Sequence, residues 1–408
     1  MSRLQVYAEA LVRLQERDAV YPCYCSPQEL VHRRGQSRLA GRPPRYDGRC
    51  RDLSARQREA CEAQGRQPTW RLRVPATGET VVHDLVRGDV VFPHAALDDF
   101  VIVRSNGVPV YNFVVAVDDA DMDITHVLRG DDHLANTPKQ ILVYNALGAC
   151  VPAFAHLPSV LASDRSRLSK RHGPVSIEEY REQGLLPEAI LNYCALLGWS
   201  PGDDREVMTL QEMVEAFDLE RVGKAGAVYD VEKLRWINGQ HLRRLSPGAL
   251  WERARPWLRA AGLTDEVASG KGPAPEAAVA LVQQRVQTLA QVPEAVAYLY
   301  REPTAFDPAG VRRHFQPASA HVLGAAAEVV RGLATWDELS LETAYRALAD
   351  RLGVKAAALI HPTRLALTGH TMGPSLFALA ALIGRQGCVA RLCDAASRIA
   401  AGEFALQG

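Results

Sequence analysis

The chain has 408 residues, well above the usual single-domain size of roughly 100 to 200 residues, so several domains are expected. With 47% hydrophobic and 23% charged residues it carries enough apolar material to fold, which excludes a largely disordered chain. Lys+Arg and Asp+Glu both number 47, so any polyanionic partner has to be met by local basic patches rather than by net charge.

Leu4, Tyr7, Ala8, Leu11 and Leu14 recur at helical spacing and predict an amphipathic helix ending before Pro22. From Tyr21 to Pro68 the sequence mixes Cys, Arg, Gly and Pro without sustained period, apart from a helix capped by Ser26-Pro27. Trp70, Leu72 and Val74 alternate with Arg71 and Arg73, Val81 to Phe92 is rich in β-branched residues, and Phe100 to Arg104 leads through Asn106-Gly107 into Val108 to Val117. Asn-Gly predicts a hairpin turn, with a strand over the residues that follow it. Ile124 to Leu128 reads as a strand, Thr137-Pro138 starts a helix to about Leu147, and the next strand is expected near Ser159 to Ala162, giving a parallel βαβ unit. Beyond Ser176 helices dominate: Ile177 to Gln183, Pro187 to Leu197, a capping box from Thr209 to Glu212, and Val231 to Leu245. A Gly/Pro-rich turn at 269–275 precedes an Ala/Leu-rich helical remainder. The longest apolar stretch, Leu376 to Ile383, is far short of the roughly 20 residues that span a bilayer, and no export signal opens the chain. A soluble, cytoplasmic protein with no membrane partner is expected, its eight Cys reduced rather than paired.

Two constellations carry chemistry. Arg167-Leu168-Ser169-Lys170-Arg171-His172-Gly173 is a basic loop whose donors suit phosphate oxygens, the alternative being a solvated basic loop. Cys23-Tyr24-Cys25 with Cys50-Arg51-Asp52 offers three thiolates and a carboxylate, a tetrahedral zinc set that would hold a segment with little core; the alternative is free structural thiols.

The basic loop resembles the KMSKS signature of class I aminoacyl-tRNA synthetases, in the Leu-Ser-Lys-Arg-His-Gly form of bacterial glutamyl-tRNA synthetases. Upstream, Pro109-Val110-Tyr111-Asn112-Phe113, Val117-Asp118-Asp119, Thr125 to His133 and Asn136-Thr137-Pro138 resemble the same family. Downstream, Leu191-Asn192-Tyr193, Leu196 to Trp199, Lys233 to Asn238, Leu367-Thr368-Gly369, Gly373-Pro374 and Leu376-Phe377 continue it, so the resemblance covers essentially the whole chain. It implies ATP with Mg2+, glutamate and tRNA, most simply tRNA-Glu, as ligands of a monomer, and glutamate–tRNA ligation through glutamyl-adenylate as the reaction. Ser169, Lys170, Arg171 and His133 would bind ATP, with Lys170 as the catalytic cation, and Tyr111 and Arg129 would face glutamate. Arg129 closes a strand of an α/β sheet, where an Arg pairs a carboxylate well, although an ion pair with Asp131 or Asp132 is the plainer alternative. Some family members bind zinc where Cys23, Cys25 and Cys50 stand, with His or Tyr in the place of Asp52.

The resemblance implies an α/β plus all-α fold: residues 1–109 an acceptor-stem-binding insertion, 110–165 the second half of a Rossmann-like catalytic domain, 166–245 a helical stem-contact region, and 246–408 an all-helical anticodon-binding region. Glutaminyl enzymes carry β-barrels at that last position, and glutamyl-queuosine synthetases lack it. One departure stands out: no His-Ile-Gly-His-like string precedes Arg129. The first half of the Rossmann domain is therefore expected to be missing, and the alternative function is that of a tRNA-binding fragment or paralogue without ligase activity. An unpaired strand edge near Val110 to Val117 is expected with it.

Overall fold

The structure, a computed structural model, describes residues 3–41, 44–168, 171 and 176–404. The chain divides into two compact units, one of residues 1–167, 197–203 and 216–229, the other of residues 168–196, 204–215 and 230–408.

In the first unit, helix α1 (Leu4–Glu16) buries Ala10 and Leu14, as its apolar spacing requires, and leads into strand β1 (Val20–Cys23), buried along its whole length. Helices α2 (Pro27–Leu39) and α3 (Ala55–Ala63) each begin with a reciprocal capping box, Ser26 with Glu29 and Ser54 with Gln57. α3 lies in the stretch expected to be irregular; its cap was legible in Ser54-Ala-Arg-Gln57, but no apolar stripe follows, and the helix buries no residue.

Strands β2 (Thr69–Leu72) and β5 (Val101–Val103) complete an antiparallel sheet of order β1-β2-β5. A second sheet has the order β4-β3-β7-β6, built from β3 (Glu79–Asp84), β4 (Gly88–Pro93), β6 (His126–Gly130) and β7 (Ala153–Leu157). β3 and β4 form an antiparallel hairpin, whereas β3 and β6 both run parallel to β7.

Two expectations fail here. The Asn106-Gly107 turn forms, with the Arg104 N–H bonding the Val108 carbonyl at 2.9 Å and Gly107 at φ +80, but the following residues make helix α4 (Tyr111–Asp121), not a strand. Phe113, Ala116 and Val117 all face the core at helical spacing, so burial overrides the strand preference of the valines, and no strand edge exists at Val110–Val117. The strand after helix α5 (Thr137–Leu147) is β7, not the Ser159–Ala162 segment; the latter contributes β8 (Val160–Leu161), which pairs in parallel with β9 (Ala227–Val228). The βαβ unit is thus β6-α5-β7, and Gly148 ends α5 in the left-handed conformation. One hydrophobic cluster runs from Ala10 and Leu14 through Val82, Phe113 and Tyr144 to Phe154, joining elements on both sides of residue 109.

The second unit is helical. It holds α6 (Ile177–Glu182), α7 (Pro187–Leu196), α8 (Leu210–Ala216), α9 (Val231–Arg244), α10 (Pro247–Ala260), α11 (Leu263–Ala268) and α12 (Pro275–Val282). It continues with α13 (Val292–Tyr300), α14 (Pro308–His314), α15 (Pro317–Arg331), α16 (Glu338–Leu352), α17 (Ala356–Thr368), α18 (Leu376–Ile383) and α19 (Arg385–Ala400). The Thr209–Glu212 capping box forms as expected. Gly369 stops α17 at φ +77, where a Cβ would meet the Ala305 carbonyl oxygen at 2.4 Å, so this Leu-Thr-Gly turn requires glycine. Among the described residues no single helix is long and apolar enough to cross a membrane.

Candidate functional site

The parallel register of β6 against β7 sets Arg129 directly beside His156. Arg129 Nε donates to His156 Nε2 at 3.2 Å, and its Nη2 donates to Thr137 Oγ1 and to Gln140 Oε1, both at 2.8 Å. Thr137 and Gln140 are one helical turn apart at the start of α5 and wholly buried, so both point back at the strand end. Gln140 is oriented in turn by donating Nε2 to Asn112 Oδ1 at 3.1 Å, which fixes its carbonyl oxygen toward Arg129. All three acceptors are neutral. The alternative ion pair with Asp131 or Asp132 does not form: Asp131 is taken by Arg87 at 2.6 Å and by the Ser159 hydroxyl, and Asp132 by Arg167 at 2.9 Å. Among the described residues no carboxylate lies within ion-pair distance of Arg129, whose further side-chain partner is Tyr111. Burial works against its charge and lowers its pKa.

Tyr111, at the start of α4, is half exposed, and its hydroxyl lies 3.4 Å from His133 Nδ1 with the two rings 5.6 Å apart. The Tyr111 side chain also hydrogen-bonds Arg129, which favours the charged guanidinium. His133 closes a short 3-10 turn, Asp131–His133, and contacts Asn136 Nδ2 at 3.3 Å. Tyr111, Arg129 and His133 therefore form one group around an unneutralised cation. Of the loop expected to bind phosphate, Arg171 is exposed, while Ser169 and Lys170 lie outside the described residues.

Cys23, Cys25 and Cys50 converge, their sulfurs all within 4.8 Å of one another and Cys25 Sγ 3.6 Å from Cys50 Sγ. Tetrahedral zinc with bonds of about 2.3 Å sets sulfurs about 3.8 Å apart, so the trio fits the ion. Asp52 does not belong to it. The Arg51 N–H bonds the Gly48 carbonyl in a tight turn, and Arg51 reaches inward to Asp99 at 2.7 Å. Asp52 is thereby left pointing out, 88% exposed and 3.6 Å from Arg73. The fourth donor atom at the trio is the phenol oxygen of Tyr46, which accepts the Cys50 N–H at 3.0 Å and lies 3.4 Å from Cys23 Sγ. The buried Arg71 guanidinium covers the Tyr46 ring at 3.8 Å from its centroid, a cation placed where thiolates would gather. Hydrogen bonds from Cys25 and Cys50 push the Cys23 thiol down, and the same contacts raise Cys25, so the trio favours a thiolate.

Sequence reasoning missed Tyr46, Asp84, Thr137, Gln140 and His156 as site residues. Only Tyr46 carried a local signal, a phenol four residues before a candidate ligand. The others are assembled by strand register and by the α5 start, which spacing does not reveal.

In the helical unit a cavity of about 290 Å³ is lined by Arg285, Tyr298, His370, Gly373 and Pro374, among others. The buried Tyr298 hydroxyl there has no protein partner, and burial raises its pKa to about 12.

Residues 1–236 match the family described as tRNA synthetases class I (E and Q), catalytic domain, and residues 249–396 match the anticodon binding domain family. A glutamate–tRNA ligase of Moorella thermoacetica is 48% identical over 402 residues, covering 97% of this chain and 81% of that protein. One of Desulforudis audaxviator is 44% identical over 406 residues, covering 98% and 80% respectively. A crystal structure of a glutamate tRNA ligase from Elizabethkingia meningosepticum, in complex with its amino acid, aligns with a TM-score of 0.85 at 26% identity, over 98% of this chain and 83% of that one. An α/β catalytic part followed by a helical anticodon-binding part is thus the architecture of both the chain and its relatives, as its motifs led one to expect. The chain belongs to the glutamate–tRNA ligase family of class I aminoacyl-tRNA synthetases.

Proposed function

We propose that the chain performs its family's reaction, the ATP-dependent attachment of glutamate to tRNA-Glu through glutamyl-adenylate. The observation that carries this is Arg129, a half-buried cation held by three neutral acceptors with no carboxylate at ion-pair distance among the described residues. Leaving a charge uncompensated costs stability unless a ligand supplies the counter-ion. Glutamate carries two carboxylates, and Arg129 with Tyr111 beside it is the group we assign to one of them.

Ser169, Lys170, Arg171 and His133 are the ATP-binding residues, by their match to the family's motif. No side-chain nucleophile is needed, because the substrate carboxylate attacks the α-phosphorus and a tRNA ribose hydroxyl then attacks the adenylate carbonyl. Lys170 serves as the catalytic cation, stabilising charge on the departing pyrophosphate, and Mg2+ accompanies ATP. Cys23, Cys25, Cys50 and the Tyr46 phenol hold one structural zinc, the phenol taking the place first given to Asp52. Residues 1–109 are the acceptor-stem-binding insertion, 110–165 belong to the catalytic domain, 166–245 contact the stem, and 246–408 bind the anticodon. The Arg285–Tyr298 cavity lies within the last of these. The chain acts as a cytoplasmic monomer.

The test is tRNA-dependent glutamate charging with Arg129→Lys. Replacing a charge-assisted guanidinium contact by a shorter side chain with a point charge costs about 1.5 to 3 kcal/mol, so the KM for glutamate rises by roughly 10- to 100-fold with the KM for ATP little changed. An unchanged glutamate KM removes Arg129 from the site. Absence of charging in the unsubstituted chain, with tRNA binding retained, selects the tRNA-binding alternative.

A further inference from the structure

Beneath Arg129 lies a pair of ionisable groups that the reaction does not use. His156 is completely buried and Asp84 nearly so, and His156 Nδ1 lies 2.6 Å from Asp84 Oδ2. Asp84 ends β3, and its other contacts are backbone donors: the N–H groups of Val86 at 3.0 Å, Arg87 at 2.8 Å and His156 at 3.0 Å. A carboxylate with that many N–H donors is held ionised, and Asp84 is lowered although burial opposes it. An ionised Asp84 can only accept, so Nδ1 of His156 carries the proton. Nε2 is then a lone-pair acceptor, matching the Arg129 Nε–H aimed at it and the Thr137 hydroxyl 3.0 Å away. The charged groups facing the imidazole are Asp84 from β3, Arg87 just after it and Arg129 from β6; Thr137 comes from α5 and Phe154 stacks beside it on β7. Burial leads, with both arginines, in lowering the His156 pKa, against Asp84.

We propose that Asp84 and His156 are a positioning pair that holds Arg129 through a neutral acceptor, so that the guanidinium is fixed in direction while its charge is left for an anionic ligand. A carboxylate at position 156 would fix the same geometry but neutralise the cation. The pair keeps the negative charge one imidazole away and ties it to backbone N–H groups. The identification of that anion as a substrate carboxylate rests on the function proposed above; the pairing itself does not.

The experiment is 1H–15N long-range correlation spectroscopy of the full chain with labelled histidine and arginine. The His156 resonances are assigned by their loss in His156→Gln, and the Arg129 Nε–H by its loss in Arg129→Lys. The pair requires a neutral imidazole with Nδ1 protonated from pH 8 down to pH 6, below the ordinary His value of about 6.5. It also requires a slowly exchanging Arg129 Nε–H that survives in His156→Gln, whose amide oxygen accepts, and is lost in His156→Leu. An imidazolium at pH 7, an Nε2-protonated ring, or an Arg129 signal unchanged in His156→Leu overturns the proposal. Should His156→Leu fail to fold, the tautomer of the unsubstituted chain decides alone. Adding glutamate separates the two readings: an unmoved Arg129 signal above a correct tautomer supports the pair and removes Arg129 from glutamate binding.

Discussion

Single side chains in this protein are placed by what their neighbours leave unsatisfied. Asp52 and Tyr46 illustrate the contrast. Asp52 stands two residues after a cysteine in a cluster, the position a ligand search by spacing selects, yet it is exposed and faces Arg73. Tyr46, with no spacing rule in its favour, is buried with its oxygen on the Cys50 amide and near Cys23. Zinc content of purified protein, measured after dialysis against a weak chelator, therefore falls in Tyr46→Phe and Cys50→Ser and stays at one ion per chain in Asp52→Ala. Loss of zinc in Asp52→Ala with retention in Tyr46→Phe reverses the assignment. Arg71 has the same lesson: β2 alternation marks it as an outward residue, but it is buried over the Tyr46 ring.

Elements were legible where capping or apolar period is strong. α1, α2, α5, α6, α7 and α9 stand where the sequence put them, because each has an apolar stripe, a Ser or Asp cap, or a Pro at its first turn. α4 was misread because Val114, Val115 and Val117 favour strands locally, whereas the Phe113–Ala116–Val117 face is decided by contact with the core. The turn after α17 shows how one residue secures an element boundary. Gly369→Ala combines a left-handed backbone with a Cβ 2.4 Å from the Ala305 oxygen, and should destabilise the helical unit by at least about 2 kcal/mol. Urea unfolding followed by circular dichroism checks this; a change within about 0.5 kcal/mol, the usual range for an inert surface substitution, shows that the turn relaxes freely.

Taken as a molecule, the protein carries buried histidines in both units: His156 in the first, His241 and the partly buried His314 in the second. Burial is the leading cause lowering all three pKa values, joined by nearby arginines and, at His314, by His361. The folded chain holds these rings neutral while the unfolded chain protonates them below about pH 6.5, so unfolding takes up protons and stability is lost as pH falls. The melting temperature should therefore drop between pH 7.5 and 5.5, and less steeply in His241→Gln. Asp84, whose pKa is lowered, contributes in the same direction only below about pH 4, where its unfolded counterpart protonates. A melting temperature independent of pH across 5.5 to 7.5 contradicts the burial of these rings as neutral species.

Family and reaction were available from linear strings, since motifs such as Leu168-Ser169-Lys170-Arg171-His172-Gly173 and Leu128-Arg129-Gly130 are contiguous in the chain. The cysteine trio was likewise readable, because three thiols in a segment with little apolar period have few other uses. What surrounds those residues was not readable. Arg129 faces a histidine 27 positions away because β6 and β7 pair in parallel, and that histidine meets an aspartate 72 positions away because β3 lies on the other side of β7. Local propensity and spacing act over a few residues, whereas strand register and burial bring together groups that no local rule connects. The charge state of the site, an arginine with no carboxylate at ion-pair distance among the described residues, is consequently a property of the folded sheet.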